Sequence, residues 1–126
     1  MTDAPSPLLA RALEAAGDAV IVIDRDGLVR AWNPASERLF GHRAADVIGQ
    51  DVVVMIPERL RPLHDRGFAA AMAVGHLASD GAPRRTKAIR PDGSSVYVVM
   101  TFAVVTDETG AAIGSVAVAR EWLRDE

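Results

Sequence analysis

The 126-residue chain contains no cysteine. Disulfides, thiolate metal sites and a cysteine nucleophile are therefore all excluded. No apolar run approaches the ~20 residues that a bilayer span requires. The first residues, Met1-Thr2-Asp3-Ala4-Pro5, have neither the basic start nor the apolar stretch of a secretion signal, so the expectation is a cytoplasmic protein with no membrane partner. A basic excess is also missing. The net charge is −3, and the one close basic group, Arg84-Arg85 with Lys87, has no interleaved aromatics, so no nucleic-acid footprint is present. Internal repeats and low-complexity segments are absent too. What remains is 49% hydrophobic and 25% charged, enough to bury a core within one soluble domain, since ~100–200 residues is the usual domain size.

Pro5-Ser6-Pro7 closes a flexible polar lead over 1–7. Leu9, Leu13 and Ala16 then recur at helical spacing, which predicts an amphipathic N-terminal helix over 8–17 that Gly17 stops. Two β-rich segments, 20–23 and 28–32, flank Asp24-Arg25-Asp26-Gly27, where Asp-Gly is a strong turn signal. Asn33 is placed to cap the next helix, with Pro34 at its first position, where a missing N–H costs nothing. Leu39 and Phe40 should point inward before Gly41 ends that helix. Trp32 is expected to pack where the second strand meets it.

Short helical turns are expected over 44–47 and 52–55, and a main helix over 58–74. Pro62 falls in the first turn of that helix, where it is tolerated. Gly75 is its natural stop. A loop over 76–83 leads to three further strands, 84–89, 95–105 and 112–120, separated by Pro91-Asp92-Gly93 and Asp107-Glu108-Thr109-Gly110. The order ββ-helices-βββ predicts an α+β domain: a five-stranded antiparallel sheet with helices on one face.

On the main helix, Leu60, His64, Phe68 and Met72 stand four residues apart and share a face. Gly67, Ala69, Ala70, Ala71 and Ala73 are small, so the helix either packs closely on the sheet or leaves a cavity beside an inward histidine. Such a cavity suits a planar, metal-containing cofactor, because imidazole is a good axial ligand for haem iron. Phe68, Met72, Ile89, Met100 and Phe102 would wall it. The competing reading makes His64 a half-buried histidine bonded to a backbone carbonyl or to Asp65, and Arg84 a strand-edge ion-pair partner of Asp80 or Glu58. His42 and His76, at turns, read as surface residues. No acid–base or nucleophile constellation appears, since Glu58 and His64 are six apart on different helical faces and the serines have no base within reach. An enzyme is not expected.

Several of these residues carry a resemblance. Asp18-Ala19-Val20-Ile21-Val22-Ile23-Asp24, Asp26-Gly27, Val29-Arg30-Ala31-Trp32, Asn33-Pro34-Ala35-Ser36-Glu37-Arg38-Leu39-Phe40-Gly41, Gly49-Gln50, Pro57-Glu58, His64-Asp65 and Arg90-Pro91-Asp92-Gly93 together resemble a PAS sensor domain. The resemblance spans roughly residues 8 to 121 and implies a single PAS domain with its core over 18–121. Without cysteine, the flavin–cysteinyl adduct of LOV domains and the thioester-linked chromophore of the yellow photoproteins are both ruled out.

Residues 33–93 also resemble, without a gap, the haem-binding PAS domain of oxygen-sensor histidine kinases. That resemblance implies that His64 is the proximal iron ligand and that Arg84 hydrogen-bonds bound dioxygen. Arg84 would then move between that ligand and the haem propionates, displacing the loop over 75–83. The family's isoleucine-rich loop is here Ala78-Ser79-Asp80-Gly81-Ala82-Pro83, and its basic propionate anchors correspond to Ala70 and Ala78, which leaves Arg66, His76 or Arg85 for that role. The expectation is a signal-sensing domain that binds haem through His64 and senses O₂, another diatomic gas or redox state. The alternative is a haem-free module for dimerisation or for a small apolar ligand such as a fatty acid, or for none.

The strand around 96–105 is apolar on both alternating sets, so both sheet faces want cover. Helices take one face. The Leu9/Leu13 helix and a second copy of the chain would take the other, giving a homodimer. At the C-terminus Arg120-Glu121-Trp122-Leu123 stands where PAS domains have an Asp-Ile-Thr-like motif that couples to a downstream helix. With no kinase, cyclase or DNA-binding segment before Glu126, the chain is expected to be either a free-standing PAS protein acting through an unidentified partner or a piece of a larger receptor.

Overall fold

The computed structural model describes residues 6–77 and 81–123. Residues 1–5 of the expected lead and 78–80 of the expected loop, with Ala78 and the ion-pair candidate Asp80, lie outside the described residues. Five strands, β1 (Ala19–Asp24), β2 (Val29–Trp32), β3 (Arg84–Ile89), β4 (Ser95–Thr106) and β5 (Ala112–Glu121), form one sheet in the order β2-β1-β5-β4-β3. Every neighbouring pair is antiparallel. Helices α1 (Pro7–Ala15), α2 (Pro34–Phe40), α3 (Ala44–Val47) and α4 (Arg61–Val74), with short 3₁₀ turns at Val52–Met55 and Glu58–Leu60, complete the domain.

Alternation along the strands decides what faces the helices. Ile21 stands opposite Ala117, which in turn stands opposite Phe102; Ala88 and Val96 pair, as do Thr86 and Val98. These residues make the inner face, and Phe40, Val29 and Val98 in the core lose essentially all contact with water. Asn33 ends β2 and opens α2. Its Oδ1 accepts from the Ser36 N–H at 3.0 Å and the Val20 N–H at 2.9 Å, so one side chain caps the helix and ties it to β1. Gly41 then stops α2 in the left-handed conformation, φ 78°, with its N–H on the Glu37 carbonyl.

The main helix begins later than expected, at Arg61. Pro62 has no N–H to give the Glu58 carbonyl, so α-type bonding cannot run back to 58. Arg61 donates to that carbonyl instead, closing a 3₁₀ turn. The N-terminal helix also departs from expectation. None of its residues is buried, and Leu8, Leu9 and Leu13 are 75%, 63% and 39% exposed, so it covers no sheet face within the chain. It is tethered through the Leu13 carbonyl, which accepts from Asn33 Nδ2 at 3.0 Å.

Candidate functional site

Between α4 and the inner face of the sheet lies a cavity of about 510 Å³, within the ~300–1,000 Å³ range of small-molecule sites. Its existence follows from small side chains on both walls. Ala88, Ser115 and Ala117 stand on the sheet, and Gly67 and Ala71 on the helix. A Cβ built on Gly67 would meet nothing within 4 Å. The other small residues named for this role, Ala69, Ala70 and Ala73, are exposed and do not line the cavity.

His64, Phe68 and Met72 of α4 line the cavity, as do Met100 and Phe102 of β4 and Arg84 of β3. Ile89 does not. Its register partner is Ser95, one step out of phase with the cavity-lining Ala88, so it stands on the opposite sheet face, and its carbonyl bonds His42. The His64 side chain is 30% exposed, and its Nδ1 lies 3.5 Å from Asp65 Oδ1, the outer limit of a hydrogen bond. Its ring stacks on Phe68, with 6.2 Å between centroids and 4° between planes.

Arg84 sits opposite Met100 at the exposed edge of the sheet. It forms no ion pair with Glu58 and has no partner among the described residues. Arg85 and Lys87 also border the cavity, but they share the phase of Ile89, so Arg84 is the in-phase cation, and no aspartate or glutamate among the described residues borders it. The cavity therefore joins an apolar interior to a cationic edge. Of the groups left to anchor haem propionates, Arg66 and His76 are exposed and lie off the cavity. Arg85 borders it, but its guanidinium lies 4.8 Å above the Trp122 ring.

One imidazole on the wall is all the protein ligation a haem iron needs, and the apolar walls, with Arg84 at the rim for a carboxylate, match a planar macrocycle. The residues present fit. No group of three or more His, Asp or Glu that could hold a bare metal ion occurs among the described residues.

Residues that sequence reasoning passed over include Ile21, Ile23, Met55, Leu63 and Thr86, all on the cavity wall. Strand alternation alone would have placed Ile21, Ile23 and Thr86 there. His42 is a second correction, because it is not plain surface. Its Nε2 lies 3.1 Å from the Ile89 carbonyl, its ring packs edge-on to Trp32, and its carbonyl accepts from Trp32 Nε1 at 2.9 Å.

The PAS fold family matches residues 8–121. The chain belongs to the PAS family. A PAS domain is a sensor and signal-transduction module, not an enzyme. This PAS domain is 42% identical over 78 residues to the sensor protein FixL of Bradyrhizobium diazoefficiens, covering 62% of this chain and 15% of FixL. It is 29% identical over 88 residues to the oxygen sensor protein DosP of Escherichia coli, covering 70% of this chain and 11% of DosP. The chain thus spans a small fraction of these curated relatives. Among solved structures, the PAS domain of a Colwellia psychrerythraea protein superposes with a TM-score of 0.74 at 22% identity, over 91% of this chain and 94% of that one. No helix of the described residues is long and apolar enough to cross a membrane. With no cysteine in the sequence, a cysteine-linked flavin or chromophore has no attachment point.

Proposed function

We propose that this PAS domain senses a small, mainly apolar ligand held between α4 and the sheet, and relays its occupancy through a homodimer to a downstream partner or effector domain. The observation that carries the reading is the apolar cavity of about 510 Å³ that opens at the cationic edge of β3. Burial of apolar ligand surface supplies the affinity, at about 25 cal/mol per Å² removed from water before the cost of immobilisation is subtracted. Phe68, Met72, Met100 and Phe102 provide the walls. Arg84, uncompensated at the rim, orients a ligand that ends in a carboxylate, as a fatty acid does. The outer sheet face supports the dimer: Val118 is 36% exposed there, and Leu9 is open on α1.

A second reading has a specific observation behind it. His64 borders the cavity with its ring stacked on Phe68, and one relative bears the name of an oxygen sensor. In this reading His64 would hold haem iron, Arg84 would meet its ligand or its carboxylates, and the sensed species would be O₂, another diatomic gas or redox state. Haem would supply reversible gas binding and one-electron chemistry. The protein's part is to supply one imidazole, exclude bulk water with α4 and neutralise carboxylates at β3.

Native mass spectrometry of the purified chain and absorption spectra before and after adding haemin separate the two, using wild type and His64→Ala. Retention of a long-chain carboxylate, or saturable uptake of one by both proteins, is the expected result. A Soret band present in wild type and lost in His64→Ala would instead establish the haem reading. Neither ligand binding at any concentration would overturn both.

A further inference from the structure

Beside the C-terminal half of α2 lies a second pocket, of about 240 Å³, that shares no residue with the cavity under α4. Three arginines from three separate elements line it: Arg38 of α2, Arg90 just beyond β3, and Arg120 near the end of β5. The space among them follows from small residues. Ala19 and Ala119 are cross-strand partners with only a methyl each, and Gly17 has none.

None of the three guanidinium groups makes an ion pair among the described residues, although the Asp92 carboxylate acts on Arg90 at longer range. Arg90 is held in place by neutral carbonyls, with Nη1 donating to Ser95 at 3.3 Å and Nη2 to Leu39 at 3.5 Å. The nearby Asp92 carboxylate is occupied by the Ser94 hydroxyl at 2.6 Å and makes no ion pair with Arg90. Arg38 and Arg120 are exposed, and neither has a carboxylate partner among the described residues. Glu121 is the single acid on the lining among the described residues, and it makes no ion pair among them. The lining residues carry three positive charges against one negative, and Asp92, just off the lining, offsets part of the charge of Arg90.

We propose that this pocket binds phosphate, either as the free ion or as the head of a small phosphomonoester. A guanidinium presents donors in a rigid fork that matches the oxygens of phosphate or carboxylate. Charge separates the two candidates, because a phosphate monoester has about −1.5 to −2 at neutral pH and a carboxylate only one unit. The volume, below the ~300 Å³ at which drug-sized sites begin, suits one charged group with a short stem. A phosphate held here would bridge α2 to Arg120, beside the end of the last strand, and so would act on the chain's exit from the sheet independently of the cavity.

Backbone amide shifts would be followed by NMR during titration with sodium phosphate, with sodium chloride at matched ionic strength and sodium acetate as controls. Wild type, the Arg38→Gln/Arg120→Gln double variant and His64→Ala would be compared. Both substituted arginines are exposed, whereas Arg90, which supports two carbonyls, is left intact. The expected result is a saturable phosphate response centred on Gly17, Arg38 and Arg120, at least tenfold weaker in the double variant and unchanged in His64→Ala. Three results would each overturn the proposal: shifts no larger than with chloride, an undiminished response in the double variant, or acetate binding as tightly as phosphate.

Discussion

The rings of His64 and Phe68 lie parallel on adjacent turns of α4, 6.2 Å apart, and both border the same cavity. One helical face therefore combines the domain's only cavity-lining imidazole among the described residues with the apolar wall beside it. Gly67, between them in sequence, keeps the space open. Its position makes the cavity testable without touching either ring.

Replacing Gly67 by alanine should stabilise the domain. A Cβ there meets nothing within 4 Å, and exchanging glycine for alanine inside a helix is worth about 0.8–1 kcal/mol. Gly67→Phe should fill the cavity and abolish uptake of the long-chain carboxylate at little cost to folding. Urea unfolding and native mass spectrometry read the two effects separately.

Asn33→Ala should cost about 2–4 kcal/mol, combining a lost cap of about 1 kcal/mol with buried groups left unpaired at about 1–3 kcal/mol. Asn33 is 4% exposed. Besides capping Ser36 and pairing with Val20, it donates to the Leu13 and Asp18 carbonyls at 3.0 and 3.1 Å. Asn33→Asp retains the acceptor and loses both donors, so it should release α1 as well. Hydrogen exchange at residues 7–15 would report that release.

Gly114→Ala should be among the most damaging single changes. Its Cβ would run into the Ile23 carbonyl of the neighbouring strand, which as backbone cannot turn aside. Forced overpacking of this kind costs about 1–3 kcal/mol or more. The measurement is the urea midpoint, and an unchanged value would show that β1 and β5 separate freely at that point.

Acid should weaken the fold through its turns. Asp24 is held below the ordinary carboxyl value of 3.8, first by the Arg30 side chain, and Asp92 and Asp107 are lowered first by the hydroxyls of Ser94 and Thr109. A lowered native pKa means the unfolded chain takes up its proton first as pH falls. The contribution is therefore complete above the unfolded value near 3.8 and disappears as pH drops through the lower native values. Urea midpoints should fall below that pH, and the drop should be smaller in Asp24→Asn/Asp92→Asn/Asp107→Asn, whose midpoint at neutral pH is already lower.

Much of the fold was legible because its signals are local. Asn33-Pro34 opens α2, Gly41 and Gly75 close helices, and β3 spans 84–89 as expected, since capping, left-handed glycine and alternation each act over a few residues. Pro62 misled only about the helix start, because it cannot make the α-type bond to the Glu58 carbonyl four residues back, which Arg61 serves through a 3₁₀ turn instead.

The candidate site was legible in part. The four-residue spacing of Leu60, His64, Phe68 and Met72 was enough to put them on one face, and all four line the cavity. Ile89 was misassigned because a strand reverses its side with every residue, so a one-residue error in phase exchanges inside for outside.

The sequence by itself determined the order of elements, their caps and turns, the PAS membership and the absence of cysteine chemistry, all of which depend on neighbours along the chain. Only the tertiary structure decided that small residues on α4 and on β3 and β5 face one another across an open volume, and that α1 covers no part of the sheet. It alone brought Arg38, Arg90 and Arg120 around one pocket. Cavities and charge clusters are made by residues distant in sequence, and their geometry exists only once strand register and helix docking have been set.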